Sequence, residues 1–204
     1  PLLEGGPRRL AHGVFGALTR QAVQLPAAPT LPDAVNMRWG EGAAAIADAL
    51  ALPPPLDLTL RDFGRDPAET ANWAEQLGGS SLMPGHLRLP RGEAIERLAG
   101  FKEGAWWVQD LAASLPARLL GAGEGKTVLD LCAAPGGKTL QLAAAGWQVT
   151  ALDASAKRLD RLNENLARCR LEAETVKADA LTWQPQQRFD AVLLDAPCTA
   201  TGTC

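Results

Sequence analysis

The stretch Thr127-Val-Leu-Asp-Leu-Cys-Ala-Ala-Pro-Gly-Gly-Lys-Thr139 constrains this chain more than any other. An apolar run carries an acid, a glycine turn follows, and a helical pattern begins. Strand, turn and helix in that order open a β-α-β unit. The alternation then continues. Residues 138–145 read as a helix, 148–152 as a strand and 155–169 as a strongly amphipathic helix. Residues 175–178 read as a weaker strand, and Ala191–Leu194 as an apolar, buried parallel one. This predicts an α/β fold with a doubly wound, Rossmann-like sheet, whose ligands bind beyond the carboxyl ends of the strands. Asp130, Cys132, Asp153, Asp179 and Asp195 all fall at those ends.

The chain before this unit is patterned differently. Residues 8–24 place Leu10, Val14 and Leu18 at helical spacing, and Leu25-Pro-Ala-Ala-Pro-Thr-Leu-Pro32 reads as a linker. Residues 41–51 form an alanine-rich helix stopped by Pro53-Pro54-Pro55. Leu56-Asp-Leu-Thr-Leu60 alternates as a half-buried strand does. Asp66-Pro67 opens a helix that Gly78-Gly79 ends, and His86–Leu89 is a short strand. Trp106-Trp107-Val108-Gln109-Asp110 leads into a helix through Leu119, and residues 121–125 form a glycine hinge. The expected parts are a helical tail with linker over 1–32, a small α+β module over 33–115, and the first half of the Rossmann-like domain over 116–204.

Which ligand the turn takes can be narrowed by elimination. A phosphate-binding P-loop needs a glycine five residues before the Gly-Lys pair, and that position is Cys132. The dinucleotide fingerprint GxGxxG is absent as well. What remains is a tight turn at Ala133–Gly137, whose backbone can approach a ligand closely. Asp153 closes the second strand, where an acid suits the two hydroxyls of a ribose. Asp179 follows the third strand and can accept from an exocyclic adenine amine. An adenosine held without a phosphate clamp points to S-adenosylmethionine. The alternative is that these acids only cap helices.

Other features bound the partners. The formal net charge is -3, which argues against a general nucleic-acid coat but leaves room for a local basic groove. Arg8-Arg9 and the group Lys157-Arg158 with Arg161 read as solvated faces. The four cysteines, Cys132, Cys169, Cys198 and Cys204, form no CxxC pair, so no metal site is expected and the thiols are expected reduced. Cys169, on the amphipathic helix, reads as structural. The first residues lack the form of a signal peptide and no apolar run is long enough for a membrane span, so a cytoplasmic location is expected.

Leu129-Asp-Leu-Cys-Ala-Ala-Pro-Gly-Gly-Lys-Thr139 together with Asp195-Ala-Pro-Cys-Thr-Ala-Thr-Gly202 resembles the Nop/Sun family of RNA cytosine-C5 methyltransferases, most closely its bacterial 16S rRNA methyltransferase B branch. Ala99-Gly-Phe-Lys-Glu-Gly-Ala-Trp-Trp-Val-Gln-Asp110 is similar to the segment that enters the family's catalytic domain. The resemblance is specific over 98–204 and looser over 35–97. It implies S-adenosylmethionine as cofactor and RNA as partner, rRNA before tRNA. It makes 33–115 an RNA-binding module and 1–32 a remnant of a NusB-like helical domain. It also implies roles: residues 132–138 as cofactor loop, Asp153 on the ribose, and Asp179 on the adenine side. Asp195 would stand near methyl donor and base, with Cys198 as the cysteine that releases product. The family's nucleophile stands in a Thr-Cys motif after a fifth strand. Thr203-Cys204 spells that dipeptide directly after the Asp-Ala-Pro-Cys segment, so Cys204 is read as an ordinary loop residue and the nucleophile is expected beyond it.

The chemistry so implied is demanding. Cytosine C5 is a poor nucleophile until a thiolate adds at C6 and makes it enamine-like. It then takes a methyl group, and loss of the C5 proton and of the thiolate restores the ring. A group must hold the base near N3, and Asp195, carrying or sharing a proton, is the candidate. The target must be unstacked, which is easiest in single-stranded RNA. By analogy with DNA C5 methyltransferases, Cys198 is itself an alternative nucleophile. Trp106 and Trp107 read as core packing before base-stacking. Two further readings stand beside the enzyme on rRNA: a tRNA-directed relative, and a non-catalytic RNA- or ribosome-binding protein that keeps the cofactor fold.

Overall fold

The computed structural model describes residues 5–24, 30–52, 54–62, 66–90 and 94–196, with the side chains of 5–8 left aside. The described chain divides into two compact units that meet in sequence at Pro54 and Pro55. The first holds α1 (Gly5–Arg20), α2 (Asp33–Trp39) and α3 (Ala43–Leu50), the last entered through a 3-10 turn at Gly40–Gly42. Leu31, Ala43 and Ala47 are its buried residues, flanked by Val35, Trp39 and Leu50. Leu10 and Val14 of α1 are exposed, although their spacing is that of a buried helical face. α2 has no counterpart in the sequence reading.

The second unit contains two sheets. β1 (Leu56–Leu60) is the centre of an antiparallel sheet, paired with β2 (His86–Leu89) on one side and β3 (Trp106–Val108) on the other. β3 corrects the sequence reading, which took these residues as the lead into a helix. α4 (Pro67–Gln76) is capped by Asp66, whose side chain accepts from Ala68 N, with proline in the first turn as expected. Alternation in β1 sends Leu58 and Leu60 into a core with Leu87, Leu89 and Trp106. The opposite face is polar yet buried: Asp57, Thr59 and His86 lie there.

α5 (Leu111–Leu119) leads into the parallel sheet, whose strands stand in the order β6-β5-β4-β7. These are β4 (Thr127–Leu131), β5 (Gln148–Asp153), β6 (Glu174–Lys177) and β7 (Ala191–Leu194). α6 (Gly137–Ala144) joins β4 to β5, and α7 (Ala156–Cys169) joins β5 to β6. The chain therefore builds outward from β4 and then returns to its other side with β7. This reversal makes the crevice between β4 and β7 a topological switch point. Leu159, Leu162, Leu166 and Cys169 of α7 are buried in one cluster with Val128, Val149 and Trp107. Trp106 and Trp107 are both core residues, and Cys169 is wholly buried. β7 is the edge strand of the described sheet, with Val192 and Leu194 more than half exposed.

Candidate functional site

The four parallel strands end together. Leu131 of β4 lies beside Leu152 of β5 and Leu194 of β7, while Asp153 of β5 lies beside Lys177 of β6. Cys132, Asp153, Asp179 and Asp195 thus share one end of the sheet.

The turn after β4 is tightly built. Cys132 is left-handed at φ 61, the Ala134–Pro135 peptide is cis, and Gly136 has φ 110. A Cβ on Gly136 would stand 2.9 Å from Leu162 Cγ, so glycine satisfies both the conformation and the neighbour. A Cβ on Gly137 would meet the Gln109 side chain at 3.3 Å. Both glycines let the turn close on the protein behind it, a reason additional to the ligand approach read from the sequence. Ala133 N donates to Leu152 O at 3.0 Å, which fastens the turn to β5.

Asp153 is the hub of that fastening. Its Oδ2 accepts from Ala134 N at 3.1 Å and its Oδ1 from Ser155 N at 2.9 Å. Arg158 Nη2 lies 3.5 Å from Oδ2 and also donates to Ala134 O. Oδ1, with Ser155 N as its partner, has a second lone pair to which a hydroxyl can donate. Asp179 is exposed, and its Oδ1 accepts from Leu181 N at 2.9 Å. It caps its own turn and also faces solvent. This donor and acceptor set fits a nucleoside laid across the ends of β5 and β6.

Lys138 and Asp195 face each other at the switch point. Lys138 Nζ donates to Asp195 Oδ2 at 2.6 Å, the lysine side chain 12% exposed and the aspartate 60%. Behind them Asp130 is fully buried and accepts from Thr139 Oγ1 at 2.6 Å. Burial pushes the Asp130 carboxyl up to about 6. The Thr139 hydrogen bond and the Lys138 charge oppose that shift, and the Asp195 charge adds to it.

Cys198 and Cys204 lie outside the described residues. Cys132 is a free, partly buried thiol in the turn itself. Arg158 was missed by the sequence reading, which placed it on a solvated face. Its only sequence signal is its place in the first turn of a helix that starts just after the ribose-side acid.

Residues 117–204 match the family described as 16S rRNA methyltransferase RsmB/F. A ribosomal RNA small subunit methyltransferase B of Pseudomonas putida is 40% identical over 207 residues, covering 96% of this chain and 47% of that protein. Its namesake from Yersinia enterocolitica is 34% identical, covering 99% of this chain and 51% of that protein. The chain therefore spans about half the length of the curated relatives it matches. The crystal structure of a methyltransferase homolog protein from Pyrococcus horikoshii superposes with a TM-score of 0.66 at 26% identity. That match covers 81% of this chain and 57% of the other.

Proposed function

We propose that the chain, whose residues 117–204 match the 16S rRNA methyltransferase RsmB/F family, serves S-adenosylmethionine-dependent methylation of cytosine C5 in 16S rRNA. The observation that carries this reading is the Lys138–Asp195 pair at 2.6 Å. It joins the turn read as the cofactor loop to the acid read as the base-side group, so the two motifs form one site at the switch point.

When bound, the cofactor supplies an electrophilic methyl group. The residues of the chain hold and orient. Asp153 accepts from the ribose hydroxyls while Arg158 and the Ala134 amide keep its carboxylate in place. Asp179 accepts from the adenine amine. The turn formed by Cys132, Ala133, Ala134, Pro135, Gly136, Gly137 and Lys138 borders the rest of the cofactor. Asp195, held by Lys138, faces the cytosine near N3. Cys198 serves product release, and the adding thiolate is the cysteine of the family's later Thr-Cys motif. The antiparallel sheet and its helices serve as the RNA-side module, without Trp106 and Trp107, which are buried. The setting is the cytoplasm, where ribosomes are assembled.

Two measurements test this. Calorimetry of S-adenosylhomocysteine with the 204-residue chain should give saturable binding, weakened roughly 10- to 100-fold by Asp153→Asn, the range expected when a charged hydrogen-bond acceptor is lost. Tritiated methyl transfer to 16S rRNA transcripts should appear with a chain extended past Cys204 through the later motif. Label in tRNA transcripts instead would favour the tRNA-directed relative. Absence of cofactor binding would leave the non-catalytic RNA-binding reading.

A further inference from the structure

Three successive residues in the first turn of α6 each face a different part of the fold. Lys138 is held by Asp195 after β7, and Thr139 by Asp130 of β4. Gly137 leaves open the space beside Gln109, whose side chain a Cβ would meet at 3.3 Å; Gln109 lies between β3 and α5, outside the parallel sheet. Only the first two of these belong to the site described above.

Gln109 is buried, and both ends of its amide are engaged. Its Oε1 accepts from Trp107 Nε1 at 2.9 Å. Its Nε2 donates to Gln141 Oε1 at 2.6 Å and, at 3.4 Å, to Ala113 O. Gln141 sits one turn along α6 from Gly137, is wholly buried, and donates from its own Nε2 to Ser114 O at 3.2 Å. The backbone N of Gln109 donates to Asp57 O at 3.0 Å, which ties it to β1. The amide therefore reads the indole of β3 on one side and the carboxamide of α6 on the other, and it stands where a side chain on Gly137 would have to go. An apolar side chain of the same length would fill the space. It would leave Trp107 Nε1 and Gln141 Oε1 unpaired and lose the directional restraint.

We propose that Gln109 is a positioning residue for the cofactor turn: through Gly137 and Gln141 it fixes where the first turn of α6 stands. This rests on the reading that the turn holds the cofactor. Gln109 itself touches neither cofactor nor base. A misplaced turn loses binding without any change in the groups that bind.

The test uses the 204-residue chain and S-adenosylhomocysteine. Gln109→Met should weaken binding about tenfold, a change of about 1.4 kcal/mol. Without cofactor, the same variant should speed amide hydrogen exchange at Leu140, whose N donates to Gly136 O, while leaving exchange in β2 unchanged. Leu87→Ala, in the core of the antiparallel sheet, destabilises the fold away from α6 and should bind as wild type does. Gln109→Glu gives a second readout. A protonated carboxyl can still donate to Gln141 and accept from Trp107, so the affinity of this variant relative to wild type at the same pH should be higher near pH 5.5 than near pH 8, a ratio from which the titration of Asp130, common to both, cancels. The proposal is overturned if Gln109→Met binds within twofold of wild type, or if Leu87→Ala loses as much as Gln109→Met. A ratio of Gln109→Glu to wild-type affinity that does not change with pH would overturn it too. Wild type that binds no S-adenosylhomocysteine would sink the functional reading first, and the proposal with it.

Discussion

Asp57 in the antiparallel sheet and Asp130 in the parallel sheet are both buried carboxyls on central strands, yet their surroundings push them in opposite directions. Burial alone would raise both. At Asp57 it is outweighed by Arg88, which donates from Nε and Nη2 at 2.8 Å each, by His86 at 3.2 Å, and by the Leu111 amide at 3.1 Å. The Asp57 carboxyl is held below its ordinary value. At Asp130 a single hydroxyl and a neighbouring ammonium do not offset burial, and the group rises to about 6. The first acid closes on its own protein and makes a joint between β1, β2 and α5. The second stands behind the strand-end site with its charge incompletely matched, as groups at functional sites tend to.

The largest effect is therefore expected at the joint. Asp57→Ala leaves the part-exposed Arg88, the buried His86 and the Leu111 amide without their shared acceptor, at about 1–3 kcal/mol for each buried donor left unpaired. Urea unfolding at pH 7 measures it. A loss below about 1 kcal/mol would mean that water replaces the carboxylate, and the contrast with Asp130 would collapse.

The second effect is a difference of sign. A raised acid binds its proton more tightly in the folded state, so the Asp130 contribution is fully present below 3.8 and lost as pH rises through about 6. Asp57 is the reverse: its contribution is present above 3.8 and is lost as pH falls through its depressed folded value. Asp130→Asn keeps an acceptor for Thr139 and removes the charge. It should raise stability at pH 7 by about 1–3 kcal/mol, the upper end being the full shift converted at 1.36 kcal/mol per unit. It should also flatten the profile between pH 4 and 7. Denaturant midpoints across that range decide it, and a variant less stable than wild type at pH 7 would show that the charge is compensated.

The two regions also differ in how far their sequences could be read. β4, β5 and β7 were legible because each is a largely apolar run between turns, and Ala191–Leu194 matches the structure in its bounds, although as an edge strand it exposes Val192 and Leu194 where burial was expected. β3 was not, because Trp106-Trp107-Val108 has no period of its own and becomes a strand only by pairing with Leu58, Thr59 and Leu60. The same holds for the site. Strand-end acids stand out after apolar residues, so the placing of Asp153, Asp179 and Asp195 at one end of the sheet could be read in advance. Arg158 could not, since a cation on an amphipathic helix carries no mark of the carbonyl it will meet. Nor could Gln109 and Gln141, whose partnership exists only once α5 and α6 have packed.

The smallest predicted difference lies in the helix caps. Asp66 accepts from Ala68 N at 2.9 Å, whereas Ser155 accepts from Arg158 N at 3.4 Å. Cap removal costs about 0.5–2 kcal/mol, and the shorter bond to a carboxylate belongs in the upper half of that range. Asp66→Ala should therefore lower the unfolding midpoint more than Ser155→Ala, which should cost about 0.5 kcal/mol. The order is instructive because α7 is the longer and better buried helix. Its first turn is fastened by other means: Ser155 N donates to Asp153, and Arg158 reaches back to Ala134 O. If Ser155→Ala proved the costlier change, the hydroxyl would have to support Asp153 as well as the helix. The weak cap would then count as part of the strand-end site.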